Sequence, residues 1–154
     1  EAGDEAVSST RIRGWVSEGK MELAREGLGR PYALRGLVVR GDGRGRDLGF
    51  PTANLGGFPP EKLLPPAGIY AVMGVTRQGV HMGALHLGPR PTFRGAPPSI
   101  ELHLMDFDGD LYGEEVRVDF VEYLRPVVPF DSVQALVEQM RADVDRARGV
   151  LEGS

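Results

Sequence analysis

Six short segments with strand character follow one another along most of the chain, and turn-forming residues separate them. They are residues 32–40, 51–55, 68–76, 79–87, 99–107 and 114–124. In the last segment Val116, Val118 and Phe120 alternate with charged residues, which is the period-two pattern of a strand with one buried and one solvated face. Gly79 and Gly109 lie in short turn sequences, where glycine can adopt the positive φ that tight turns require. Six short strands joined in this way predict a small barrel.

Helical patterns flank the strand region at both ends. Hydroxyl side chains at Ser9 and Thr10 can cap a first short helix, and residues 20–26 predict a second. From Val133 to Leu151 apolar residues recur every three or four positions, which predicts an amphipathic helix packed on the barrel. The expected fold is mainly β: a six-stranded antiparallel barrel with a C-terminal amphipathic helix and short N-terminal helices.

Composition excludes several kinds of chemistry. The 154 residues include no Cys, and the spacing of the three His matches no zinc motif, so disulfide scaffolds, thiolate catalysis and Cys-ligated zinc are excluded. A net charge of -4 disfavours general nucleic-acid binding. No apolar run approaches the length of a membrane span and the first residues are too polar for a signal peptide, so we expect a cytoplasmic protein that uses no membrane.

The segment GDGRGRDLGFPTANL, residues 41–55, is the most informative stretch for binding. Closely spaced glycines let backbone N–H groups approach a phosphate, and arginines add cationic donors. The segment matches neither the P-loop nor the dinucleotide-binding pattern, because Pro51 argues against a following helix. By composition alone an ordinary hairpin loop is an equally good interpretation. The candidate phosphate-binding residues of this segment are Gly41, Gly43, Arg44, Gly45, Arg46, Gly49, Pro51, Thr52 and Asn54.

Thr52 and Asn54 are two positions apart, so on an extended segment their side chains project from the same face. A hydroxyl and an amide oxygen are hard ligands suited to Mg²⁺ that also binds phosphate oxygens. The alternative is that both residues cap a turn.

Glu101 alternates with Ile100 and Leu102 on its strand. If the apolar residues face outward under the helices, Glu101 points to the barrel mouth, where its carboxylate can take a proton from a hydroxyl nucleophile. If they face inward, Glu101 is solvated. Periodicity does not choose between the two.

Six separated blocks of this sequence resemble the riboflavin kinases. The blocks are GRDLGFPTANL at 45–55, PAGIYA at 66–71, GPRPTF at 88–93, IELHLMDF at 100–107, DLYG at 110–113 and QMRADVDRAR at 139–148. The resemblance covers residues 30 to about 150 and is strongest to the C-terminal kinase module of the bifunctional bacterial FAD synthetases. Upstream, VSSTRIR at 7–13 resembles the closing motif of the FMN adenylyltransferase domain, so 1–29 is expected to be a remnant of that domain and linker before a kinase domain at 30–154.

The resemblance implies a Greek-key barrel that transfers the γ-phosphate of ATP to the ribityl 5′-hydroxyl of riboflavin, giving FMN and ADP. It implies that Thr52 and Asn54 bind Mg²⁺ and phosphate, that residues 41–49 cover the nucleotide, and that Glu101 is the general base. Residues 124–130 would form a flap over the flavin, with Arg125 and Phe130 in contact with it. Ser9, Thr10 and Arg13 would be phosphate-binding residues of the adenylyltransferase domain, which in the full-length chain would convert FMN to FAD.

Two other classes of function compete with this interpretation. A non-catalytic barrel that binds nucleotide or flavin as a regulatory module would bind ligands without releasing ADP. A nucleic-acid-binding barrel would share the fold, but the net charge and the few aromatic residues disfavour it. Many riboflavin kinases have Asn where this chain has His86.

Overall fold

The computed structural model describes residues 9–39, 52–58, 62–88, 99–107 and 109–153. Two short helices come first, α1 (Ser9–Ser17) and α2 (Met21–Leu28), and a long helix, α3 (Val133–Glu152), comes last. Between them lie six strands: β1 (Ala33–Val39), β2 (Ala53–Gly56), β3 (Gly68–Thr76), β4 (Gly79–Leu87), β5 (Ile100–Leu104) and β6 (Glu115–Arg125). Within the described part of the chain, no helix combines the length and the apolar character needed to cross a lipid bilayer.

The six strands close into one antiparallel barrel in the order β1-β2-β5-β4-β3-β6. Strands β3, β4 and β5 are consecutive neighbours, and β2 lies beside β5 while β6 lies beside β3. Each of these arrangements places a fourth strand beside the far member of a three-strand meander, which is the Greek-key pattern. The predicted fold is therefore confirmed, including the helix packed on the barrel.

The β3–β4 hairpin follows the sequence prediction most closely. Thr76 pairs with Gly79, so the loop consists of Arg77 and Gln78 alone. The backbone N–H of Gln78 donates to Oγ1 of Thr76 over 3.0 Å, and Gly79 has a φ of 126°. The sequence predicted the turn at Gln78 and Gly79, so the observed loop lies one position earlier and Gly79 begins the return strand.

Strand β5 is shorter than the predicted segment 99–107. Met105 and Asp106 form a turn directly after Leu104, and Asp106 has a φ of 55° in the left-handed region. Aspartate tolerates this conformation better than most residues because its short side chain hydrogen-bonds locally. The strand therefore stops before the apolar pattern does.

Two apolar clusters lie on opposite sides of the sheet. Inside the barrel, alternate strand residues pack around Tyr70 and Phe120, whose rings meet edge to face with centroids 5.0 Å apart. Outside it, Ile69 and Ala84 pack with Ala147 and Leu151 of α3. The helix therefore covers one outer face of the barrel, and this decides where the candidate site lies.

The N-terminal helices pack against the barrel core. Val16 of α1 and Met21 and Ala24 of α2 are buried in the same cluster as the barrel interior. Gly29 ends α2 in the left-handed conformation, with φ 77° and ψ 8°. The described part of 1–29 thus shares a hydrophobic core with the strands that follow it.

Candidate active site

A row of register partners crosses five strands on the outer face of the barrel, where α3 packs on β3, β4 and β6. Glu101 of β5 lies opposite Asn54 of β2 on one side and opposite His86 of β4 on the other. His86 lies opposite Ile69 of β3, which lies opposite Arg125 of β6. Because partners in antiparallel strands point to the same face, these five side chains share one surface. From Glu101 to Arg125 the row spans three strand spacings, about 14 Å.

A cavity of about 190 Å³ lies between this row and α3. Thr52, Glu101, His86 and His103 line one part of it. Apolar residues from the barrel, from the segment after β6 and from α3 line the middle: Ile69, Ala84, Val127, Phe130, Leu136 and Met140. Arg125 and Asp143 also line it. The cavity therefore has apolar walls between two groups of polar side chains.

A second cavity, of about 370 Å³, lies between α1 and the segment before β3. Ser17, Leu63, Pro66 and Leu87 are among the residues that line it. Within the described part of the chain, its lining includes no ionisable side chain. The first cavity is therefore the better candidate for chemistry.

Glu101 faces this cavity although its neighbours point into the barrel. Ile100, Leu102 and Leu104 are buried in the barrel core, so Glu101 is on the outer face. The inward-facing alternative therefore holds for the apolar residues, but Glu101 is not simply solvated, because it lines the cavity together with residues of α3 and of 127–130. Glu101 is half-buried, and its Oε2 accepts a hydrogen bond from Oγ of Ser99 over 3.3 Å.

Thr52 and Asn54 lie on the same side of the barrel as Glu101. Leu55 is buried in the barrel interior, so Asn54 points to the outer face, directly opposite Glu101. Thr52, just before β2, lines the same cavity as Glu101. The fold therefore gathers a hydroxyl, an amide and a carboxylate from two neighbouring strands.

Arg125 forms a bidentate ion pair with Asp143 of α3. Its Nε donates to Oδ1 over 2.8 Å and its Nη2 donates to Oδ2 over 2.6 Å. Nε2 of Gln139 also donates to Oδ1 over 2.9 Å. Asp143 is only 7% exposed, so this ion pair is buried at the cavity and does not lie on the open surface.

Sequence reasoning missed Asp143 and Gln139. They lie four positions apart on α3 and share a helix face with Leu136 and Met140. A carboxylate within the apolar stripe of an amphipathic helix was the available signal, since buried carboxylates need partners.

The remaining candidate residues fall into three groups: residues on α1, one residue at the cavity, and residues outside the described part of the chain. Ser9, Thr10 and Arg13 are exposed on α1. Phe130 lines the cavity next to Arg125. Outside the described residues lie Gly41, Gly43, Arg44, Gly45, Arg46, Gly49 and Pro51.

Comparison with known proteins gives one consistent family. The family model described as Flavokinase, riboflavin kinase, matches residues 28–151. The bifunctional riboflavin kinase/FMN adenylyltransferase of Bacillus subtilis is 38% identical over 147 residues, which are 94% of this chain and 46% of that protein. Its counterpart from Listeria monocytogenes is 37% identical over 148 residues, 96% of this chain and 47% of that protein. The chain thus spans about half the length of these curated relatives.

Two solved structures share the fold. A crystal structure described as a macrolide-efflux protein from Streptococcus pneumoniae superposes with a TM-score of 0.88 at 37% identity, over 96% of this chain and 49% of that one. Riboflavin kinase from Trypanosoma brucei superposes with a TM-score of 0.62 at 29% identity, over 79% of this chain and 78% of that one. The family match over most of the chain, together with the barrel and its helix-covered site, shows that this chain belongs to the riboflavin kinase family.

Proposed function

We propose that this chain phosphorylates riboflavin on the ribityl 5′-hydroxyl with ATP and so produces FMN and ADP. The observation that carries the proposal is the direct pairing of Asn54 with Glu101 at a cavity that Thr52 also lines. A base beside hard oxygen ligands is what transfer of a phosphoryl group to an alcohol needs. The apolar walls of the same cavity suit a flat aromatic ring such as isoalloxazine.

Glu101 acts as the general base in this proposal. Its carboxylate takes the proton of the 5′-hydroxyl while that oxygen forms a bond to the γ-phosphorus, and the bond from this phosphorus to the departing ADP oxygen breaks. The barrel holds Glu101 rigidly, since both neighbouring strands are paired with β5.

A Mg²⁺ ion fits the residues present. Thr52 Oγ1 and Asn54 Oδ1 are neutral oxygen donors of the kind that bind Mg²⁺ together with phosphate oxygens. Among the described residues, no group of three or more His, Asp or Glu is placed to hold a metal alone, so nucleotide phosphates would complete the shell. When bound, the ion neutralises phosphate charge as it develops.

The remaining assignments are proposals of the same kind. Residues 41–49 and Pro51 would cover the nucleotide phosphates, and Arg125 and Phe130 would contact the flavin. Residues 1–29 would belong to an FMN adenylyltransferase domain of the full-length protein, as in the bifunctional relatives, and that domain would convert FMN to FAD. The use of ATP is the reason that we place the reaction in the cytoplasm.

The test is chromatographic detection of FMN from riboflavin and ATP, with Mg²⁺ present or withheld. We expect metal-dependent FMN formation that falls at least about a hundredfold in kcat in Glu101→Gln. Glu115→Gln is the matched control, because Glu115 is an exposed carboxylate on the same barrel. Binding of flavin and ADP without any FMN would instead identify a non-catalytic binding module.

A further inference from the structure

The cavity is polar at both ends of the row and apolar between them. Glu101 and His86 mark one end, and Arg125 marks the other, with Ile69 between. A ligand that spans the row therefore needs polar groups at both ends and an apolar middle. If the ribityl hydroxyl of riboflavin reaches Glu101, the isoalloxazine ring extends toward Arg125 and Asp143.

Arg125 and Asp143 each have hydrogen-bonding groups that their ion pair does not use. A carboxylate has about four acceptor sites, and Asp143 uses three, two on Oδ1 and one on Oδ2. Arg125 has five N–H donors. One is donated to Oδ1 of Asp143, one to Oδ2, and one from Nη1 to the backbone oxygen of Pro126 over 2.9 Å. Within the described residues, one acceptor site on Oδ2 and two guanidinium N–H groups stay available at the cavity.

The unused acceptor site of Asp143 and the unused N–H groups of Arg125 complement one edge of the flavin. The pyrimidine edge of isoalloxazine presents a carbonyl, an N3–H donor and a second carbonyl. The dimethylbenzene edge presents only carbon and hydrogen. A buried acceptor next to cationic donors therefore matches the first edge, whereas the second edge offers that acceptor no hydrogen bond.

We propose that Asp143 determines flavin specificity by accepting the N3–H of the isoalloxazine ring, while Arg125 donates to an adjacent carbonyl. The proposal rests on the proposed riboflavin kinase function and adds the orientation of the ring: pyrimidine edge at the ion pair, dimethylbenzene edge against the apolar walls. The ion pair also fixes the acceptor, because Gln139 and Arg125 hold the carboxylate from two sides. Specificity then comes from a preorganised buried carboxylate whose fourth acceptor site receives N3–H from riboflavin and nothing from an analogue that lacks N3–H.

The first experiment needs no substitution. Wild-type protein is titrated with riboflavin and with 3-methylriboflavin, in which a methyl group replaces the N3 hydrogen, and binding is followed by flavin fluorescence. We expect the Kd of the 3-methyl analogue to be higher by on the order of tenfold to a hundredfold. Riboflavin lacking its 8-methyl group is the matched control, and its Kd should change by no more than about fourfold because only the apolar contact of one methyl group is lost. Equal affinity for riboflavin and 3-methylriboflavin would overturn the proposal.

The second experiment uses Asp143→Asn, with Asp145→Asn as the control, since Asp145 is an exposed carboxylate on the same helix. We expect Asp143→Asn to weaken riboflavin binding about tenfold, to weaken 3-methylriboflavin binding much less, and to leave the KM for ATP unchanged. Equal loss for both flavins, or a raised KM for ATP, would contradict the assignment. Flavin binding is measured without turnover, so this test does not depend on kinase activity. If the kinase function is wrong, the protein will form no FMN but will still distinguish the two flavins.

Discussion

Asn54 and Glu101 are direct partners in the pairing of β2 with β5, so an amide and a carboxylate from segments almost fifty residues apart share one face of the barrel. Neither side chain reaches the other through sequence proximity. The pairing joins the proposed metal and phosphate ligands to the proposed base in one rigid element. Because Asn54 is proposed as a metal ligand and Glu101 as the base, changes at the two positions should have separable effects.

Replacement of Asn54 should alter the metal requirement. In Asn54→Ala the amide oxygen is lost, and we expect the Mg²⁺ concentration that gives half-maximal FMN formation to rise about tenfold or more. Initial rates measured across a Mg²⁺ series test this. Gln134→Ala, which removes an exposed amide on α3, should leave the series unchanged. An unchanged Mg²⁺ dependence in Asn54→Ala would remove this residue from the metal site.

Loss of one partner of the buried ion pair should destabilise the fold. In Asp143→Ala the guanidinium of Arg125 keeps its buried position without its carboxylate, and we expect the free energy of unfolding to fall by about 3 kcal/mol. The double change Arg125→Met with Asp143→Leu should restore most of that loss, because no uncompensated charge is left. Urea unfolding of the three proteins is the measurement. A double variant as unstable as Asp143→Ala would show that the apolar replacements do not pack.

Two glycines should respond in opposite directions to the same substitution. A methyl group at Gly83 would lie 2.9 Å from the backbone oxygen of His103, so Gly83→Ala should destabilise the barrel by about 2 kcal/mol. Gly149 on α3 has open space around its added methyl, so Gly149→Ala should stabilise by about 0.5–1 kcal/mol. Thermal unfolding of the pair tests both. Similar shifts of Tm in the two variants would mean that the barrel wall yields at Gly83.

Alkaline pH should weaken the fold through Tyr70. Burial raises the pKa of this phenol above its ordinary value near 10, and its hydroxyl donates to the backbone oxygen of Pro66 over 2.6 Å. Above pH 10 the unfolded chain loses the phenol proton while the folded protein retains it, so the free energy of unfolding falls as pH rises. Tyr70→Phe should be less stable at pH 8 by about 1 kcal/mol and should lose less stability between pH 8 and pH 10.5.

Urea unfolding at both pH values measures the difference. Burial also raises the pKa of Tyr32, so some alkaline loss should persist in Tyr70→Phe. A decline in Tyr70→Phe as steep as that of the wild type would assign the whole effect to other groups.

Local patterns were enough to locate most of the fold. The predicted bounds of β3 and β4 coincide with the observed ones, because a two-residue loop and continuous pairing leave little freedom at the hairpin ends. The amphipathic repeat of α3 and the same-face placement of Thr52 and Asn54 also follow from sequence spacing. The end of β5 was predicted less well. The strand stops at the turn where Asp106 has a left-handed backbone conformation, but the apolar pattern continues past it.

The tertiary structure alone decided the surroundings of Glu101 and the partner of Arg125. A period of two assigns residues to one of two faces, but it does not say which outer face a distant helix will cover. Helix α3 packs on β3, β4 and β6, and its residues line one cavity together with Glu101 and His103 of β5. It also brings Asp143 to Arg125 across 18 positions of sequence. Sequence spacing thus determined which segments form strands and helices and which residues share a face. The packing of α3 on the barrel determined which of those faces lines the candidate site. Burial depends on contacts between distant elements, and no local pattern encodes those contacts.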